Sequence, residues 1–94
     1  MDRKIRVGMI GAGFIGPAHI ESIRRLGFVE VVGLATSSKE SAERKAKALS
    51  IPKAFDSYNA LLKEDIDVVE ITSPNRLHYP QARAALEAGK HVVC

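Results

Sequence analysis

The sequence has little of what stabilises secreted or membrane proteins. Its 94 residues include one cysteine, Cys94, and no tryptophan. A single cysteine excludes an intramolecular disulfide framework and favours a reducing compartment, so we expect a cytoplasmic protein. No apolar run approaches the roughly 20 residues that cross a bilayer, so the sequence predicts no membrane partner. Cysteine and histidine are too scattered for a zinc pattern, and we predict no metal site.

Aromatic residues are also missing among the basic ones. The formal net charge is +3. Surfaces that bind single-stranded nucleic acid combine basic side chains with aromatic stacking platforms, and this combination is absent here. A solvated helix surface is the better interpretation, and we expect no nucleic-acid partner. Seven of the basic residues in or beside predicted helices are Arg24, Arg25, Lys39, Arg44, Lys45, Lys47 and Lys53.

What the sequence does contain is a regular alternation of short apolar runs and amphipathic stretches. Near-continuous apolar strands that alternate with helices predict an α/β fold with a parallel sheet covered on both faces. Right-handed crossovers then give a Rossmann-type, doubly wound, three-layer domain over residues 1–94. In the first strand, Gly8 is expected to allow close packing. Strands are predicted at 5–10, 29–35, 53–55, 67–72 and 91–94, and helices at 14–26, 39–49, 58–63 and 78–88.

Local signals predict where the helices begin and end. Ser38 and Ser57 precede helices as N-caps, and Gly27 and Gly89 follow helices as stop residues. Pro80 is compatible with a helix only in its first turn, which places the start of the last helix near residue 78. The expected buried stripes are Ile15, His19, Ile23 and Leu26 on the first helix and Ala42, Ala46 and Leu49 on the second.

A glycine-rich run directly follows the first strand and opens the first helix. It reads G-x-G-x-x-G, with Gly11, Gly13 and Gly16. Gly11 permits the tight turn, Gly13 lets the backbone approach a pyrophosphate, and Gly16 lets the helix pack on the strand. The helix N-terminus offers free N–H groups to phosphates. The run therefore predicts dinucleotide binding, and the alternative is a glycine-rich turn without a ligand.

The end of the second strand bears on cofactor choice. NAD-binding domains carry an acidic residue there, about 20 residues past the glycines, which binds the ribose hydroxyls. This sequence has Thr36, Ser37, Ser38 and Lys39 instead, with Arg44 as a lesser candidate. Hydroxyls and a lysine suit a 2′-phosphate, so we expect NADP rather than NAD. The alternative is that Ser38 only caps a helix and Lys39 is only solvated.

Three stretches resemble the Gfo/Idh/MocA family, named for glucose-fructose oxidoreductase and inositol dehydrogenase. They are VGMIGAGFIG at 7–16, ITSPNRLH at 71–78 and AALEAGKHVVC at 84–94. The second and third are more specific than the glycine run, and the resemblance covers essentially the whole chain. The family's acidic position falls on Thr36, where this sequence departs from the pattern.

The resemblance assigns further residues to the cofactor cleft. It implies that Asn75 and His78 approach the nicotinamide end. The alternative for His78 is a capping or lining role in its own helix. The residues that the resemblance places on the cofactor are Phe14, Ile15, Ser73, Pro74, Asn75 and His78.

Other features of the family are not in this sequence. There the strand that ends at Cys94 leads into a Glu-Lys-Pro run with a catalytic lysine, and then into a second domain. The resemblance implies a cofactor-binding domain that lacks catalytic residues and binds without turnover. The parent enzyme would move a hydride between a sugar-like or polyol substrate and nicotinamide. We also expect a homo-oligomer, because an apolar edge strand can pair with another chain.

Two other functions remain open at this point. One is a redox-sensing or regulatory nucleotide-binding module, which would share the glycine run but needs no Ser-Pro-Asn segment. The other is a family member that uses NAD transiently in a non-redox reaction such as glycoside cleavage. Net hydride transfer to free cofactor would separate both from a dehydrogenase.

Overall fold

The computed structural model describes residues 4–11, 16–72 and 75–93, without the side chains of 16–20 and 75–78. In chain order the elements are β1 (Ile5–Ile10), α1 (Gly16–Arg25), β2 (Val29–Ala35), α2 (Lys39–Ala48), β3 (Lys53–Phe55), α3 (Tyr58–Leu62), β4 (Val68–Ile71), α4 (Asn75–Glu87) and β5 (His91–Val93). None of these helices has the length and hydropathy that a membrane crossing requires, over the part of the chain described.

The five strands form one parallel sheet in the order β3-β2-β1-β4-β5. The chain runs outward from β1 to β3 and then crosses back, which places β4 on the other side of β1. This is the doubly wound Rossmann order, so the predicted fold class is confirmed. The short strand predicted at 53–55 is confirmed as well, because it pairs with the end of β2.

Apolar side chains pack against both faces of the sheet. Helices α1 and α2 contact one face, and α3 and α4 contact the other. Each fully buried aliphatic side chain stabilises such a layer by about 1.5–3 kcal/mol. The cluster under α1 and α2 is Met9, Val31, Leu34, Ala46 and Ile51. The cluster under α3 and α4 is Ile10, Val32, Ala35, Leu61, Leu62, Ile66, Val69, Ile71 and Ala85.

Two glycines let α3 lie close to the centre of the sheet. Gly8 of β1 and Gly33 of β2 are register partners. A Cβ at Gly33 would lie 2.8 Å from Leu61 Cδ1, and one at Gly8 would lie 3.1 Å from the same atom. Close packing at Gly8 is therefore confirmed. Because Val7 pairs with Val31 while the next residue pairs with Gly33, β2 carries one extra residue, a β-bulge, at this point.

The local helix signals are largely confirmed. Ser38 Oγ accepts a hydrogen bond from the Ser41 N–H at 3.1 Å, and Ser57 Oγ caps α3 in the same way. Gly27 and Gly89 follow α1 and α4 with φ angles of +78° and +80°. Glycine adopts this left-handed conformation without a Cβ clash, and both helices end within one residue of the predicted position.

The expected start of α4 is wrong. The helix begins at Asn75 instead of residue 78, so Pro80 lies inside it and beyond its first turn. Proline lacks the N–H that would bond the carbonyl four residues earlier, which normally costs about 3 kcal/mol. Pro80 lies on the exposed side of α4, where water can bond that carbonyl instead. The sequence therefore predicted a helix here correctly but placed its start too late in the chain.

One residue of the expected α1 stripe is also misassigned. Leu26 is 55% exposed, whereas Ile23 packs against the core cluster as expected. Helix α1 ends at Arg25, and the Leu26 N–H bonds the Ile23 carbonyl in a tighter turn. This rotation removes Leu26 from the helical stripe. The stripe on α2 is confirmed, with Ala42 and Ala46 buried.

Candidate functional site

The carboxyl ends of β1, β2 and β4 lie side by side. Ile10 pairs with Ala35 on one side and with Ile71 on the other. Strand order reverses between β1 and β4, so this edge contains the topological switch point. Open α/β sheets bind their ligands in the crevice at that point. The structure thus brings the segments that carry the predicted site residues to one edge.

Gly11 begins the turn that leaves β1. Its φ angle is +85°, in the left-handed region that glycine adopts readily. Its N–H donates to the Ala35 carbonyl at 2.8 Å, which continues the β1–β2 ladder by one step. The tight-turn role expected for Gly11 is consistent with this geometry. Gly16 opens α1, while Gly13, Phe14 and Ile15 lie outside the described residues.

Thr72, which is not among the predicted cofactor contacts, also lies at this edge. It directly follows β4, and its N–H donates to the Ile10 carbonyl at 2.9 Å. Its hydroxyl lies 3.0 Å from the Gly11 carbonyl oxygen and 3.3 Å from that of Ile10. The available signal was a polar residue at the end of a buried central strand, but the prediction of cofactor contacts used the motif residues that follow it.

The polar residues after β2 are engaged locally. The Thr36 N–H donates to the Phe55 carbonyl at 3.2 Å, and its hydroxyl donates to the Ser38 carbonyl at 2.9 Å. Ser38 caps α2, as the simpler interpretation of that residue required, and Ser37 is exposed. Contact of these hydroxyls with a cofactor stays a prediction.

The Lys39 ammonium lies at the β2–β3 side of this edge. Lys39 Nζ donates to the Ala54 carbonyl at 2.8 Å and lies 3.8 Å from Glu43 Oε1. Both side chains are more than half exposed, so this pair contributes little to stability. Lys39 is therefore hydrogen-bonded to the protein, whereas the alternative interpretation treats it as only solvated. Arg44 is exposed on α2.

The segment after β4 approaches the same edge from the other side. Asn75 and His78 both lie in the first turn of α4, which begins four residues after Ile71. Ser73 and Pro74 lie outside the described residues. No group of three or more His, Cys, Asp or Glu residues could hold a metal ion within residues 4–11, 16–72 and 75–93.

A separate cleft lies at the opposite, amino edge of the sheet. Its volume is about 360 Å³, and its lining includes Lys4, Arg24 and Glu30. Arg24 is held there by a hydrogen bond from its guanidinium to the Ser50 carbonyl at 3.0 Å. The lining contains none of the predicted site residues, so this cleft is a competing location for a ligand.

Comparison with protein families gives one matching description. Residues 5–94 match the Gfo/Idh/MocA model, described as an oxidoreductase family with an NAD-binding Rossmann fold. The match extends over nearly the whole chain and includes every predicted site residue.

Curated relatives are similar to this chain along its whole length. They include 4-carboxy-2-hydroxymuconate-6-semialdehyde dehydrogenase of Sphingobium sp., 33% identical over 94% of this chain and 28% of the relative. D-xylose 1-dehydrogenase (NADP(+)) 2 of Haloferax volcanii is 36% identical over 93% and 27%. A glycosyl hydrolase family 109 protein of Streptomyces filamentosus is 33% identical over 94% and 20%. The chain therefore spans 20–28% of the length of these relatives.

Solved structures are also similar to this chain over nearly its whole length. An NAD-binding oxidoreductase from Klebsiella pneumoniae is 40% identical, with a TM-score of 0.91 over 95% of this chain and 26% of that one. Levoglucosan dehydrogenase in complex with NADH and levoglucosan is 31% identical, with a TM-score of 0.92 over 98% and 27%.

Proposed function

Because the chain belongs to the Gfo/Idh/MocA oxidoreductase family, with its NAD-binding Rossmann fold, we propose that it binds an adenine dinucleotide across the carboxyl ends of β1, β2 and β4. The observation that carries the proposal is Gly11. It turns the chain out of β1 with a left-handed φ angle at the switch point, where the dinucleotide fingerprint requires a tight turn.

The residues present at this edge fit such a cofactor. Gly11 provides the turn, and α1 begins at Gly16, so its N-terminal N–H groups and dipole are available to a pyrophosphate. Strand β2 ends in hydroxyl residues next to the position proposed for the adenosine ribose. The residues that we propose for cofactor contacts are Gly11, Gly13, Phe14, Ile15, Gly16, Thr36, Ser37, Ser38, Lys39, Ser73, Pro74, Asn75 and His78.

For the longer protein, we propose a dehydrogenase acting on a sugar-like or polyol substrate. The names of the relatives support this class, since they include a xylose dehydrogenase and levoglucosan dehydrogenase. Hydride chemistry comes from the nicotinamide when it is bound, while this chain binds and orients it. The partners in the proposal are the dinucleotide, the substrate and a second copy of the protein, in the cytoplasm.

The proposed cofactor preference is NADP over NAD. Its support is the lack of a carboxylate from Thr36 to Lys39, because an acidic side chain there would bind the ribose hydroxyls of NAD and repel a 2′-phosphate. Lys39 can offer its ammonium to that phosphate in place of Glu43. Relatives are named with each cofactor, so family membership leaves the choice open.

Titration calorimetry with NADP and NAD tests the binding proposal. Gly13→Val places a side chain where the pyrophosphate is proposed to lie, so we expect the affinity for both cofactors to fall at least tenfold. Gly27→Val is the control, because it too replaces a glycine by valine, here at a positive φ angle, but at the other end of α1 and away from the proposed cofactor contacts. Equal affinity in wild type and Gly13→Val would show the assignment to be wrong.

The same titration tests the cofactor preference. Thr36→Asp introduces the missing carboxylate, and we expect it to weaken NADP binding and to strengthen NAD binding. Thr36→Asn introduces a side chain with the shape of aspartate but without its charge. It should leave the ratio of the two affinities near that of wild type. Tighter binding of NAD than of NADP by wild type, at matched ionic strength, refutes the preference.

A second candidate function has one specific observation in its favour. The similarity to a glycosyl hydrolase family 109 protein supports a non-redox use of the cofactor. The test needs a protein that contains this chain and has the full length of the relatives. A dehydrogenase would accumulate reduced cofactor in step with product. A hydrolase of this kind releases product with no net change in free cofactor.

A further inference from the structure

Gly11 is held from both neighbouring strands. On the β2 side its N–H donates to the Ala35 carbonyl at 2.8 Å. On the β4 side its carbonyl accepts from the Thr72 hydroxyl, with the oxygens 3.0 Å apart. The Ile10 carbonyl is 3.3 Å from that hydroxyl and already accepts the Thr72 N–H at 2.9 Å. Because a hydroxyl has one proton, the shorter distance favours the bond to Gly11.

Of these two bonds to Gly11, the one from the Thr72 hydroxyl is made by a side chain. Glycine has the greatest backbone freedom of any residue, so Gly11 does not hold its own conformation. The Gly11 carbonyl faces Thr72 on the β4 side, away from β2, to which the Gly11 N–H donates, so it needs a donor other than the β1–β2 ladder. Because the peptide group is planar, fixing this oxygen also fixes the plane in which the chain continues. Threonine suits the role, since its β-branched side chain has few χ1 rotamers.

We propose that Thr72 is a positioning residue for the dinucleotide: its hydroxyl holds the Gly11 carbonyl and so sets the direction in which the glycine-rich run leaves β1. The inference rests on the proposed function, because the run must face a cofactor for its direction to matter. Without the hydroxyl, the carbonyl is left unsatisfied beside an apolar group, and the peptide rotates towards water in part of the population. Affinity then falls in proportion to the fraction that stays competent to bind.

The test is Thr72→Val, which keeps the β-branched shape and removes the hydroxyl. One hydrogen bond is worth about 1 kcal/mol, so we expect roughly fivefold weaker binding of NADP and NAD alike in calorimetry. Thr72→Ser restores the hydroxyl and should bind within about twofold of wild type. The control for a general loss of stability is Asp67→Ala. It removes the bond from the Arg6 N–H to Asp67 Oδ2 at 2.9 Å, which joins β1 to the start of β4 at the opposite edge.

Amide hydrogen exchange gives a readout that needs no cofactor. The Gly11 N–H, which adjoins the peptide group that Thr72 holds, should exchange faster in Thr72→Val than in wild type, and at the wild-type rate in Asp67→Ala when both are compared at equal global stability. Unchanged affinity in Thr72→Val, or an equal loss in Asp67→Ala, overturns the positioning role while leaving the proposed function intact. Failure of the wild type to bind either dinucleotide overturns both.

Discussion

At the scale of single residues, the backbone at the end of α2 is strained at one serine. Ser50 has a φ angle of +58°, the one non-glycine residue with a positive φ angle in the part of the chain described. The Ile51 N–H bonds the Ala46 carbonyl at 2.8 Å across this turn, the pattern in which glycine usually occupies the left-handed position. A Cβ in this conformation is unfavourable by about 1–2 kcal/mol.

Ser50→Gly should therefore stabilise the protein. We expect the free energy of unfolding to rise by about 0.5–1 kcal/mol, because relief of the strain exceeds the added entropy of glycine in the unfolded chain. Urea unfolding measures this as a higher midpoint with an unchanged slope. Ser50→Ala retains the Cβ and should gain nothing. If both variants were equally stable, strain at Ser50 would not be the cause.

This residue also shows what the sequence could predict. The ends of α1 and α4 were predictable, because Gly27 and Gly89 are the residue type that a left-handed stop requires. The left-handed end of α2 was not predictable, since serine carries no signal of a positive φ angle. Thr72 was missed for a similar reason, because its role depends on a carbonyl that is 61 residues away in the chain.

At the scale of elements, the packing of α3 depends on a pair of facing glycines. Leu61 is fully buried and occupies the space above Gly8 and Gly33. The bulge in β2 brings these glycines into register. The sequence predicted both strands but not the bulge. A parallel strand that is buried on both faces has no polar alternation from which a one-residue insertion could be recognised.

Gly33→Ala and Leu61→Ala should partly compensate for each other. Leu61→Ala alone should cost about 2–5 kcal/mol through lost contacts and a cavity, and Gly33→Ala alone about 1–3 kcal/mol through overpacking. In the double variant the new methyl group enters the space left by Leu61. We expect the combined cost to be at least ~1 kcal/mol below the sum, measured by urea unfolding.

Leu62 provides the matched control for this cycle. It lies on the same helix and is buried, but none of its atoms is among the three nearest to a Cβ at Gly33. Gly33→Ala and Leu62→Ala should therefore add within about 0.5 kcal/mol. Additivity in both cycles would show that α3 does not rest on the glycine pair.

At the scale of the whole molecule, β5 lies at one end of the described sheet, with β4 as its neighbour. Three large apolar side chains on α4 and β5 are exposed: Tyr79, Leu86 and Val93, at 73%, 63% and 47%. An edge strand with apolar surroundings is a template for pairing with another chain. This supports the expected homo-oligomer, which stays a prediction.

Self-association of the 94-residue chain should depend on this edge. We expect the mass from light scattering to rise with concentration, and Val93→Lys to prevent the rise, because charge on an edge strand opposes pairing. Leu26→Lys, at an apolar residue exposed elsewhere, should leave the association unchanged. A monomeric mass into the high-micromolar range contradicts the expectation.

The sheet edge at which we propose the site was predictable at this scale, whereas the contacts made there were not. Alternation of strands and helices fixes the parallel order, and the order places the switch point between β1 and β4. The glycine run lies there by topology alone. Which side-chain donor bonds which carbonyl, as for the Thr36 hydroxyl and the Lys39 ammonium, depends on side-chain directions that no periodicity contains.

The central claim is that a dinucleotide binds at the carboxyl edge of the sheet, and NMR titration of backbone amides tests it most directly. On addition of NADP, the amides of Gly11, Thr36 and Thr72 should shift, and those of Val29 and His91 at the amino edge should not. Shifts concentrated instead around Arg24 and the cleft at the amino edge, or no shifts at saturating cofactor, would contradict the account.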